Sequence, residues 1–180
     1  STSTRVVIQG WAIIKHREIR DRLVVLFRRT SHDQAQGLMI SSFSSSGLER
    51  SNILLDESPT SASCITPDGG VIIARVPYGV ASTNKTCLFF YGKAKNPHFV
   101  TALGVMEGSI KSICDTGNMV MCLARVNSSK DGRLALLSMS RDGKRHRQWF
   151  PGIDGLVGME PIDGGAGVLL IDSDGGRWGV

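Results

Sequence analysis

Three stretches of this chain repeat one another. Ser63 to Val76 (SCITPDGGVIIARV), Ser112 to Val126 (SICDTGNMVMCLARV) and Gly158 to Asp172 (GMEPIDGGAGVLLID) each pass from a mostly apolar segment through a Gly-bearing turn into an apolar run. An earlier run, Leu23 to Arg29, aligns with Val71 to Val76 but lacks the Gly-rich lead-in. With Arg28, Arg75, Arg125 and Asp172 taken as equivalent, the spacings are 47, 50 and 47 residues. A period this long means that one supersecondary unit is copied, and that each copy buries its apolar faces against its neighbours.

The unit reads as four antiparallel strands. Its first strand is mostly apolar, and an Asp-Gly or Thr-Gly turn follows in three of the four copies. The second strand is continuously apolar, as expected of a strand covered on both faces. After a polar loop comes a third strand, over 37–43, 86–91 and 133–139. A second turn (Ser44 to Gly47, Gly92 to Asn96, Arg141 to Gly143) leads into a more polar fourth strand. These turns carry Gly, Asn and Asp, the residues that tolerate positive φ in hairpins. No segment shows an apolar stripe at helical spacing between caps, and His16 to Asp21 reads as a candidate helical turn too short to matter.

Counting strands sharpens the expectation. Thr4 to Gly10 precedes the first strand of the first copy (Trp11 to Lys15) and stands where a fourth strand stands before the other copies. The last copy stops at Arg177 to Val180, where a third strand belongs. One early strand, three full sets and one set of three make sixteen, enough for four sheets closed in a ring by the N-terminal strand. Closure of that kind removes an open edge. The expected organisation is a single domain over 1–180, with copies at about 11–55, 59–106, 108–152 and 156–180, the last completed by 4–10. A slice of a longer ring and an unrelated all-β sandwich or barrel are the alternatives.

Two turns carry a resemblance: Thr66-Pro67-Asp68-Gly69-Gly70 before a second strand, and Ser140-Arg141-Asp142-Gly143-Lys144 between a third and a fourth. On these and on the whole-chain pattern, the sequence resembles the β-propeller superfamily, in particular divergent WD40-like repeats with a Pro-Asp-Gly turn. The Gly-His and Trp-Asp dipeptides of true WD40 blades are absent. Ser173 to Trp178 is similar to the aspartate box of sialidase-like propellers, one residue short and present once. The resemblance implies an all-β fold and rigid loop faces; activity does not transfer with a fold.

Composition fits a folded chain: of 180 residues, 41% are hydrophobic and 21% charged, which excludes intrinsic disorder. The apolar runs, such as Leu23 to Phe27, are too short for a membrane helix. Cys64, Cys87, Cys114 and Cys122 form no CxxC pair and sit in apolar runs, which favours buried thiols, a reducing compartment and an intracellular (cytoplasmic or nuclear) location. Two short sequons, at Asn84 and Asn127, are of the frequency chance produces. No signal peptide is legible, and Ser1 in first place is compatible with an upstream segment.

Catalytic motifs are absent: there is no Gly-x-Ser-x-Gly elbow, Walker loop, Rossmann fingerprint or HExxH. His16, His32, His98 and His146 fall at unrelated repeat positions in expected loops or loop edges, so neither metal nor cofactor is expected. The Asp-Gly pairs are explained by hairpin turns, and the cluster Ser41 to Ser46 by a strand end and a turn.

Charge is more informative. The formal net charge is +5. If the first and second turns of each copy share one face of the ring, that face gathers Arg17, Arg20, Arg22, Lys93, Lys95, Arg141, Lys144, Arg145 and Arg147. Acidic residues offset them to a surplus of three, while Asp56, Glu57, Glu107 and Asp154 fall on the opposite face. The candidate binding residues are therefore Arg17, Arg20, Lys93, Lys95, Arg141, Lys144, Arg145, Arg147 and Trp149. The expected function is a non-catalytic scaffold that binds a protein partner bearing an acidic segment. Nucleic-acid binding through the basic face, and a glycan-binding or hydrolytic propeller, are the alternatives. The sequence does not set the oligomeric state.

Overall fold

The computed structural model describes residues 8–30, 37–55, 60–75, 85–91, 100–107, 109–125, 134–140, 146–153, 155–162 and 167–180, and every regular element in them is a β-strand. Sheet 1 holds β1 (Trp11–Ile19), β2 (Arg22–Arg29), β3 (Gly37–Ser44) and β4 (Gly47–Leu55). Sheet 2 holds β5 (Thr60–Ile65), β6 (Val71–Arg75), β7 (Lys85–Tyr91) and β8 (Val100–Glu107). Sheet 3 holds β9 (Ser109–Asp115), β10 (Met119–Arg125), β11 (Leu134–Ser140) and β12 (His146–Trp149). Sheet 4 holds β13 (Leu156–Pro161), β14 (Val168–Asp172) and β15 (Arg177–Gly179). Each sheet is an antiparallel meander in chain order, and the boundaries follow the sequence repeat. The chain divides into two compact units, Ser1–Glu57 with sheet 1 and Ser58–Val180 with sheets 2 to 4.

Sheet 3 shows why the second strands are continuously apolar. Val120, Cys122 and Ala124 of β10 pack with Ala62, Cys64, Ile72 and Ala74 of sheet 2. The alternate residues Met121 and Leu123 pack with Leu156, Met159, Val168 and Leu170 of sheet 4. With a side-chain period of two and a sheet on either side, neither set of β10 side chains reaches water. Leu123, Leu136 and Leu170 are almost wholly buried, and burial of such a side chain stabilises by about 2 kcal/mol. Small residues (Ala62, Ala74, Ala124, Ala135) recur between sheets 2 and 3. In the first unit, Val25, Phe27 and Met39 form a core that Ile8, Trp11, Leu23 and Phe43 flank.

The turns are specified by their own side chains. Thr66 N–H bonds to the Gly70 carbonyl at 2.9 Å, and its hydroxyl accepts from Gly70 N–H at 2.7 Å. Thr116 N–H bonds to the Met119 carbonyl at 3.0 Å, which makes Gly117-Asn118 a two-residue hairpin loop. Gly117 has φ +97° while Asn118 keeps a negative φ. That combination defines a type II′ turn, in which glycine belongs at the first central position.

Three expectations are corrected. His16 to Asp21 forms no helical turn: β1 runs on to Ile19, because Lys15–Ile19 pair in register with Arg22–Leu26. Ile8 to Gly10 form a turn rather than part of a strand, with Trp11 N–H bonded to the Ile8 carbonyl at 3.1 Å and Gly10 at φ +79°. Residues 4–7 lie outside the described residues, so sheet 4 has three strands among those described. His16 lies within a strand, paired with Val25, rather than in a loop, while His146 stands at the loop edge that opens β12; His32 and His98 are outside the described residues.

Candidate interaction surface

The hairpin end of sheet 1 carries a groove of about 340 Å³ lined by Glu18, Arg20, Asp21, Arg22, Leu23, Phe43 and Ser44. Its floor comes from strand register. Glu18 lies opposite Leu23, Leu23 opposite Phe43, and Phe43 opposite Leu48, which places one row across four strands on one face. Leu23 and Phe43 are half-buried against the unit's core, and Leu48 is 57% exposed.

The wall of the groove is the β1–β2 turn. Among the described residues Arg20 is the one non-glycine at positive φ, at +56°. An L side chain in that region crowds its own backbone, and such strain is of order 1 kcal/mol. Arg22 Nε pairs with Glu49 Oε2 at 3.3 Å, and the Ser42 hydroxyl donates to the same oxygen at 3.5 Å. Both partners of the pair are partly exposed, so it is worth a few tenths of a kcal/mol. Across the groove, the β3–β4 turn is tied by Ser44 and Ser46 hydroxyls at 2.7 Å and by Ser46 N–H donating to Ser44 Oγ.

Of the residues singled out in the sequence, Arg17 and Arg20 fall on β1 and its turn, Arg17 half-buried and Arg20 exposed. Arg147 and Trp149 fall on β12, the outermost strand of sheet 3. They are two positions apart and therefore share a face. Lys93, Lys95, Arg141, Lys144 and Arg145 lie outside the described residues. Trp149, one of the candidate binding residues, is 40% exposed, and Phe150 beside it is 54% exposed. Trp11 does pack: it flanks the core of the first unit, and the Arg29 guanidinium lies 5.4 Å from its ring centroid. Sequence reasoning placed Arg20 and Arg22 near this end but missed Leu23, Phe43 and Leu48 as one surface, because only the cross-strand register joins them.

Cys64, Cys114 and Cys122 are buried and carry thiols rather than disulfides. Burial, with a smaller contribution from nearby Cys114, pushes the Cys122 thiol up to about 12. No cluster of three metal-ligating side chains occurs among the described residues. Among the described residues no helix is long and apolar enough to cross a membrane.

The class is set by likeness of fold. Over 97% of its length the chain superposes on the β-propeller domain of the Trilobed protease from Pyrococcus furiosus, with a TM-score of 0.51 and 8% identity. That structure is described as having an open velcro topology, and the chain spans 58% of its length. The all-β chain is thus propeller-like in fold. No family model matches the sequence. No curated protein matches it either.

Proposed function

We propose that this chain is a non-catalytic protein-recognition scaffold, its four sheets acting as blades and its hairpin ends as the recognition surface. The groove on sheet 1 carries this reading. It joins an apolar floor, Leu23 and Phe43, to a charged rim, which is the anatomy of a protein interface. Its rim charges cancel, Arg20 and Arg22 against Glu18 and Asp21, and Arg22 is further engaged by Glu49. A phosphate backbone asks instead for a cationic surplus. Arg20, held in a strained backbone, is the residue we assign to the acidic side chain of the partner.

Nucleic-acid binding is the second reading, favoured by the exposed Arg147 and Trp149 on one face of β12. The test compares proteins captured by the wild type and by Arg20→Glu. Partners lost from the variant at unchanged melting temperature support the groove, and an identical set argues against it.

A further inference from the structure

The β3–β4 turn brings a second kind of chemistry to the groove on sheet 1. It runs Ser44-Ser45-Ser46-Gly47, with Ser44 half-buried and Ser45 and Ser46 exposed. The Ser44 and Ser46 hydroxyls lie 2.7 Å apart, and Ser46 N–H donates to Ser44 Oγ at 3.2 Å. Ser44 in turn lines the groove together with Arg20 and Arg22. A group carried on Ser46 Oγ therefore stands at the mouth of the groove, one hydroxyl away from its wall.

The charge pattern singles out Ser46 among its neighbours. Of the serines between 41 and 46, it alone has a carboxylate three residues later, Glu49; the same step from Ser41, Ser42, Ser44 and Ser45 reaches Ser44, Ser45, Gly47 and Leu48. Protein kinases choose among exposed hydroxyls by charge patterns of this kind. Glu49 is held in place on the hairpin: its Oε2 accepts from Arg22 Nε at 3.3 Å and from the Ser42 hydroxyl at 3.5 Å. Arg22 meets Glu49 through Nε, and the other N–H donors of its fork suit a phosphate.

We propose that Ser46 is a phosphorylation site for an acid-directed protein kinase, and that its phosphate, seated against Arg22 and Arg20, closes the groove. In the transfer, Ser46 Oγ bonds to the γ-phosphorus of a nucleoside triphosphate and the bond from that phosphorus to the β–γ bridging oxygen breaks. The nucleoside diphosphate leaves, and the hydroxyl proton passes to the base of the kinase. The phosphate brings a charge of about −2 and three strong acceptor oxygens. Rim charges that cancel, Arg20 and Arg22 against Glu18 and Asp21, then become an acidic excess. An acidic segment is repelled where it was received. The seat of the phosphate needs only the residues named here, whereas its effect on a partner rests on the groove reading above.

The test treats the full chain with an acid-directed serine kinase and magnesium ATP, and maps the phosphate by mass spectrometry. Ser46 should carry it, and Glu49→Gln should slow its incorporation about tenfold. A chain that takes no phosphate at Ser46, or an unchanged rate in Glu49→Gln, would overturn the proposal. Phosphorus NMR reads the seat: the second ionisation of the phosphate, at about pH 6 in free phosphoserine, should fall lower in the wild type than in Arg22→Gln. Equal midpoints would overturn closure. Partners captured by the wild type should bind the phosphorylated chain about tenfold more weakly. Partners lost on Arg20→Glu but kept by the phosphorylated chain would contradict closure. Partners that ignore both changes would refute the groove reading, while a lowered midpoint would still uphold the phosphate seat.

Discussion

Thr66 and Asp172 do the same work in two different turns. Each donates its N–H to the carbonyl of the residue four positions on, at 2.9 and 3.1 Å, and each accepts from that residue's N–H on a side-chain oxygen at 2.7 Å. In each turn the fourth residue is a glycine, Gly69 at φ +83° and Gly175 at φ +84°. One turn joins a first strand to a second, the other a second to a third, so the motif is a local solution that is independent of its place in the repeat. Thr66→Val leaves the buried Gly70 N–H without its side-chain acceptor and should cost about 1–3 kcal/mol in denaturant unfolding. Asp172→Asn keeps an acceptor oxygen and should cost less than Asp172→Ala.

Arg20→Gly should stabilise the protein. Relief of a left-handed arginine at φ +56° is expected to raise stability by about 0.5–1 kcal/mol, read as a higher denaturation midpoint at unchanged slope. If Arg20 is the anchor for an acidic partner, affinity falls as stability rises, a trade common at functional positions.

Cys122 should resist thiol reagents at pH 8 while the protein is folded, since its thiol is pushed up to about 12. Its pKa is raised on folding, so its contribution to stability is complete below the ordinary value of 9.0 and is lost as pH climbs from there toward about 12. Labelling that becomes complete only in denaturant would check the first point, and an unfolding series through that pH range the second.

Core and rim should respond differently to truncation. Leu136→Ala, in the core that sheets 3 and 4 share, is expected to cost about 2–5 kcal/mol. Trp149→Ala, at a side chain 40% exposed directly across from it, should cost well under half as much in the protein alone. Equal losses would mean that Trp149 is a core residue.

The repeat was legible because two-sided burial leaves a continuous apolar run at each second strand, and because each run is introduced by turn chemistry. Lys15 to Ile19 offered no such signal: the segment is polar, and its strand conformation comes from pairing with Arg22–Leu26. The positive φ of Arg20 could not be read either, since glycine or asparagine is the residue that marks such a position. Glu18, Leu23, Phe43 and Leu48 are local to nothing in the sequence; register alone assembles them. Trp149 is legible as an aromatic beside a basic stretch, but not its 40% exposure directly across from the buried Leu136, which only the register reveals.

The measurement that bears most directly on a protein-recognition scaffold is the salt dependence of binding, taken with a captured protein partner and with a single-stranded oligonucleotide between about 50 and 200 mM salt. The account predicts that the protein partner keeps most of its affinity across that range and loses it on Arg20→Glu, while the oligonucleotide binds weakly throughout. Tight oligonucleotide binding that falls steeply with salt and ignores Arg20→Glu would contradict it.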